Sequence, residues 1–269
     1  VRAFTVDADE ILYVELGPAK RSIVAITRSS GEIAVVKDGV RVGGGYYGIR
    51  FWHFSPDGRS LAFLADTGSG RECLFVRDGA TVGRYLAAWD YGFTPDGRSV
   101  VFNAHTGRRK WALMRDGVRV GGEFRSVHRW LLSPDSRSVL TWGYDGEGYV
   151  FEKDGVRLDA GDGDGVFAWL GPLGQSIVGV VRWNDDRREW YVVDGVRVGD
   201  KYDHVREFEF SPDGRSLAFE ADVDEKAFVV KDGVRASGAY DEVSLLTFSP
   251  DGLSLAWVAR RADKWFVVR

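Results

Sequence analysis

The 269-residue chain contains one cysteine, Cys73, and one methionine. A single thiol excludes an internal disulfide and leaves the redox compartment open. No run of about 18 apolar residues occurs, so no membrane-spanning helix is expected and no membrane partner is implied. The N-terminal stretch VRAFTVDADE lacks the basic-then-apolar build of a signal peptide. It also lacks an initiating Met, as expected of a processed product or an excised piece. An excess of charge is missing as well: 36 Lys and Arg stand against 40 Asp and Glu, a formal net charge of −4. That imbalance is too small to point to nucleic acid. Four histidines with one cysteine form no zinc spacing. Serines are present, but no G-x-S-x-G elbow surrounds any of them. No cofactor, no metal and no catalytic residue are therefore expected, and the chain reads as a protein that is not an enzyme. Helix signals are scarce too. Apolar residues alternate or run for four to six positions, and then Gly, Pro or Asp interrupts.

What the chain does have is 34 glycines, ten tryptophans and a beat. Its seven prolines are Pro18, Pro56, Pro95, Pro134, Pro172, Pro212 and Pro250, separated by 38, 39, 39, 38, 40 and 38 residues. The phrase around them is SPDG at 55–58, 211–214 and 249–252 and TPDG at 94–97, loosening to SPDS, GPLG and GPAK elsewhere. A second phrase keeps the same period: KDGV, RDGA, RDGV, KDGV, VDGV and KDGV, beginning at 37, 77, 115, 153, 193 and 231. Such self-similarity is the mark of a repeat architecture.

Each phrase has a mechanical meaning. In SPDG, Pro presets φ for the second turn position, Asp hydrogen-bonds back to the backbone, and Gly accepts a positive φ. Asp-Gly between two apolar runs is the favoured two-residue hairpin turn. The unit thus reads strand, SPDG turn, strand, longer loop, strand, DG turn, strand. In the sixth copy the strands are VREFEF (205–210), SLAFEA (216–221), KAFVV (226–230) and VRAS (234–237). A lone four-stranded meander leaves its apolar faces wet and is stable only when stacked on its own copies.

The pattern LxFSPDGRSLAF…FVVKDG resembles the TolB-type, WD40-like β-propeller repeat, and it covers the whole chain. The resemblance implies an all-β, seven-bladed β-propeller of four-stranded antiparallel blades, one domain over residues 1–269. Seven proline phrases meet only six DG turns, and the chain ends KWFVVR where Asp-Gly should follow. The opening VRA matches Val234, Arg235 and Ala236. Val1–Ala3 is therefore expected to complete the last blade, 243–269, so that no sheet edge is left open there.

Differences among the copies separate what the unit requires from what it leaves free. Counting back from each proline, the second residue is always apolar (Leu16, Phe54, Phe93, Leu132, Leu170, Phe210, Phe248). So is the fourth (Val14, Trp52, Tyr91, Trp130, Ala168, Phe208, Leu246). Both are expected in the core between blades. The serines just after the turn, Ser60 and its counterparts, recur in every copy and read as structural. The third, fifth and sixth positions vary and are expected to face the central channel or its mouth. There Arg50, Trp89, Asp90, His128, Arg206 and Glu207, with Glu209 nearby, form a candidate ligand site. Arginine suits a carboxylate or phosphate, and tryptophan offers a stacking face. The same residues also suit a polar wall that simply pairs with itself. Paired arginines at 108/109, 187/188 and 260/261 read either as a basic rim for an acidic partner or as solvated loop charge. GDGDG at 161–165 spaces Asp162 and Asp164 to share a cation but lacks the distal Glu of a calcium loop.

Three functions follow from this reading. The favoured one is a non-catalytic binding or scaffolding propeller. It would present a top face and channel mouth to a protein or peptide, with a small anion as an alternative ligand, and is expected to be a monomer. The second is an excised or recently amplified repeat without a ligand of its own. The third is a hydrolase or lyase with its site in the channel, where Asp90, Glu207 and Glu209 would act as acid and base. A buried carboxylate with a raised pKa would favour this last reading.

Overall fold

In a computed structural model, residues 4–68, 70, 72–158, 164–171, 177–182, 189–193 and 196–269 are described. They form seven antiparallel sheets with strands in sequence order. These span residues 10–46, 48–85, 87–124, 126–158, 164–202, 204–235 and 242–268, and are called the first to seventh sheets below. Among the described residues six sheets have four strands and the seventh has three. The one helical element described is a single 3-10 turn, Pro18–Lys20. The chain is thus all-β and built of four-stranded antiparallel blades, as the repeat implies. The closing strand Val1–Ala3, most of the GDGDG stretch, the fifth proline phrase and the Arg187/Arg188 loop lie outside the described residues.

The two turn phrases account for the meander. In the second sheet, Gly58 N–H donates to Ser55 O at 2.8 Å, closing the SPDG turn. The Ser55 hydroxyl donates to Asp57 Oδ1 at 2.6 Å, which also accepts the Arg59 N–H at 3.0 Å. Ser60 N–H donates to Ser55 Oγ at 2.9 Å, so the hydroxyl that holds the turn is that of Ser55 before the proline, and residue 60 contributes its backbone. The DG turns place both central residues at positive φ, for example Asp78 at 48° and Gly79 at 86°, as a type I′ hairpin requires. Their aspartates have a second task. Asp78 Oδ1 accepts the Leu61 N–H at 2.8 Å, and Asp116, Asp154 and Asp232 do the same for Val100, Val139 and Leu217. Each of these DG hairpins is thereby fastened to the start of the second strand of its own sheet.

The chain forms two compact units, Val1–Val127 and His128–Arg269. In the first unit, Leu61, Phe63 and Ala65 pack against Val24, Ile26 and Val35 of the first sheet. On the opposite face Ala62 and Leu64 join Phe75, Phe102 and Met114 of a cluster shared with the third sheet. Phe75 and Phe102 stack there with centroids 4.1 Å apart. In the second unit, Phe219 and Ala221 pack with Tyr202 and Val205, while Ala218, Val229, Val243 and Trp257 form the next cluster. One expectation about the core fails. Val14 and Leu16 are 55% and 53% exposed, because no sheet of the first unit precedes theirs to cover that face.

Candidate functional site

The first strand of a sheet carries the variable positions, and its geometry decides where they point. Pairing between first and second strands skips a residue at Phe51 in the second sheet and at Asp90 in the third. In the sixth and seventh sheets the ladder also breaks, after Arg206 and after Ser244. The residue five before the proline lies at positive φ in all four: Phe51 48°, Asp90 47°, Glu207 46° and Leu245 54°. These are β-bulges, and a bulge shifts the alternation of faces by one. In these four sheets positions two and four before the proline face inward, and the next inward residue is the seventh: Val205 and Val243 are buried there. Position six, which plain alternation would bury, is turned outward: Arg50, Trp89, His128 and Arg206 are all exposed.

The two arginines of the candidate site share one arrangement. Arg50 forms a two-pronged bond to Asp66, Nε to Oδ2 at 2.9 Å and Nη2 to Oδ1 at 2.7 Å. Arg206 holds Asp222, likewise sixteen residues further along the chain, through Nη2 to Oδ2. Both partners were missed in the sequence. The repeated separation of sixteen, with both acids ending an LAF-x-AD stretch, is the signal that could have found them. The sequence reading had the variable residues pairing with one another; both arginines instead pair with acids on the second strand, outside the variable positions.

In the first unit Arg50 and Trp89 line one cleft of about 500 Å³ between the second and third sheets. Asp90 sits beside Trp89 on the strand and is not among the lining residues. The floor includes Leu64 and the buried Cys73, whose thiol is pushed up by burial and is therefore neutral and unreactive. Four large side chains stand around the opening with much of their surface bare: Tyr47 at 78%, Phe51 at 65%, Trp89 at 50% and Leu86 at 47%. Trp89 is backed on one side by Trp111, centroids 4.3 Å apart and planes 9° apart, and Trp111 stacks in turn on His105.

The second unit holds His128, Arg206 and Glu207. His128 has its ring 5.4 Å from that of Tyr149. Arg206 lies 3.9 Å from Glu220, which occupies the place in the sixth sheet that Leu64 has in the second. Glu220 is 5% exposed. Its burial, with Asp222, Glu207 and Glu242 adding negative charge and Arg206 opposing them, pushes its pKa up from an ordinary 4.5 to about 7. The rim arginines of the seventh sheet are engaged: Arg260 pairs with Glu242 at 3.2 Å, and Arg261 donates to Ala239 O at 2.8 Å.

No protein-family model matches the chain, and no curated protein matches it. Among solved structures it is similar to the β-propeller domain of the Trilobed protease from Pyrococcus furiosus. That match has 11% identity and a TM-score of 0.42, covering 97% of this chain and 94% of that one. A putative TolB from Agrobacterium tumefaciens matches at 15% identity and TM-score 0.34, over 69% of this chain and 74% of that one. TolB from Acinetobacter baumannii matches at 15% and 0.32, over 96% and 56%.

Proposed function

We propose that the chain is a non-catalytic binding propeller that holds a protein or peptide segment at the cleft between its second and third sheets. The repeat phrases support placing it with the TolB-type, SPDG-motif propellers. One observation carries the binding reading: two residues singled out for their variability, Arg50 and Trp89, line the same 500 Å³ cleft. That volume falls within the roughly 300–1,000 Å³ usual for ligand sites. A free anion is the weaker ligand, because Arg50 and Arg206 already hold carboxylates. The purified protein should select peptides from a random array, and Trp89→Ala should abolish the selection while leaving thermal unfolding cooperative. Selection unchanged by Trp89→Ala would place binding elsewhere, and no selection at all would favour a repeat without a ligand.

A second reading, a hydrolase or lyase, has Glu220 in its favour: a carboxylate near neutrality is what a general acid or base needs. Its measure is hydrolysis of a chromogenic ester, phosphate and glycoside panel. Turnover removed by Glu220→Gln would establish it, and a panel without turnover would leave the binding reading alone.

A further inference from the structure

Resting on the binding reading, we infer that the cleft between the second and third sheets is selective for a flat, uncharged aromatic group, seated on the open face of Trp89. Three features of the lining lead there. The first is the platform. Trp111 covers one face of Trp89 and is itself backed by His105, so the indole is held rigid, and its exposed surface lines the cleft. A ring fixed in this way loses little freedom when a second ring stacks upon it, and such offset or edge contacts are worth ~0.5–1.5 kcal/mol beyond the area they bury.

The second is Phe51. Its bulge conformation at φ 48° is shared with Asp90, Glu207 and Leu245 and belongs to the repeat; what this copy supplies is the aromatic side chain that the bulge turns outward. Here it keeps an aromatic ring 65% exposed at the cleft opening. With Tyr47 and Leu86 it makes an apolar collar around the entrance.

The third is charge. The charged lining residues are Arg50, Asp66 and Glu72. Arg50 and Asp66 neutralise each other, and Glu72 pairs with Arg84 at 3.3 Å. A cation would find no uncompensated carboxylate among the described lining residues, and an anion no uncompensated guanidinium. What the Arg50–Asp66 pair offers at the edge is one donor side and one acceptor side, complementary to the C=O and N–H of an amide beside the ring. The corresponding place holds Glu220 in the sixth sheet and Val258 in the seventh, so an apolar residue there is not imposed by the repeat.

The test uses four probes on the intact protein, N-acetyl amides of tryptophan, leucine, lysine and aspartate, followed by ligand-observed NMR and by titration. The tryptophan amide should bind at least tenfold more tightly than the others. Phe51→Gly should weaken it several-fold while raising the melting temperature, a combination that a merely structural residue would not give. Trp89→Ala should abolish it. Preference for the leucine or lysine amide, with the same dependence on Trp89, would overturn the aromatic assignment and leave the binding reading standing. If none of the four amides binds, the assignment is likewise overturned, while the peptide array judges the binding reading separately. Aromatic side chains in the array hits would mark a peptide as the source; binding of the amide without such hits would mark a small aromatic molecule.

Discussion

At the scale of single residues, the backbone sets the terms. Gly58 lies at φ 73°, and a Cβ built there would meet only atoms of Pro18, the nearest being its O at an ordinary 3.5 Å. Gly117, at φ 82°, would bring its Cβ to 2.7 Å from Val82 O in the neighbouring sheet. Gly58→Ala should therefore cost about 1–2 kcal/mol from conformation alone, and Gly117→Ala clearly more, since a backbone carbonyl cannot swing aside. Urea unfolding of the two variants side by side measures the difference. Phe51→Gly runs the other way: it should stabilise the fold by about 1 kcal/mol by relieving a left-handed bulky residue. The glycines of both turn phrases were legible in the sequence, because the turn types demand them. The strain at Phe51, Asp90, Glu207 and Leu245 was not, since nothing about Phe or Leu as a residue type announces a positive φ.

At the scale of the strand and hairpin, the meander was readable from the two phrases, and in the sixth sheet each strand falls within two residues of its expected place. What alternation could not supply was the phase of the first strand. A reader counting by twos from Phe54 and Trp52 arrives at Arg50 as an inward residue; the bulge moves that role to position seven before the proline. The apolar character of Val205 and Val243 at that position, a step of three after a step of two, is the trace the bulge leaves in the sequence. The clamp from the DG aspartate was equally hidden, because it joins residues fifteen to seventeen apart that only the fold brings together. Its removal is measurable. Asp116→Ala leaves the partly buried Val100 N–H without its partner and should cost about 1–3 kcal/mol. Hydrogen exchange should localise the loss to the first residues of the second strand of the third sheet, with the sixth sheet unaffected.

At the scale of the whole molecule, two sets of carboxylates pull stability in opposite directions along the pH axis. The turn aspartates Asp57, Asp96, Asp135, Asp213 and Asp251 are held below their ordinary range, first by the Ser or Thr hydroxyl and then by a backbone N–H. Their contribution is present above an ordinary 3.8 and is lost as pH falls through their lowered values. Glu220 does the reverse. Its raised pKa makes the folded state hold a proton that the unfolded state releases, so its contribution is complete below 4.5 and lost as pH rises through about 7. The span corresponds to about 3 kcal/mol at ~1.4 kcal/mol per unit. Stability should therefore peak near pH 4–5. Glu220→Gln should flatten the decline toward pH 8 while leaving the acid limb in place, as melting temperatures across pH 3–9 would show. One feature reaches beyond stability. Because the bulge lifts a side chain clear of the packed faces in at least four sheets, the residue there can be exchanged without reopening any core. Heredity is then free to rewrite the exposed text of each copy while the grammar beneath it stays fixed, and a duplicated unit begins its divergence at a position where most changes are tolerated.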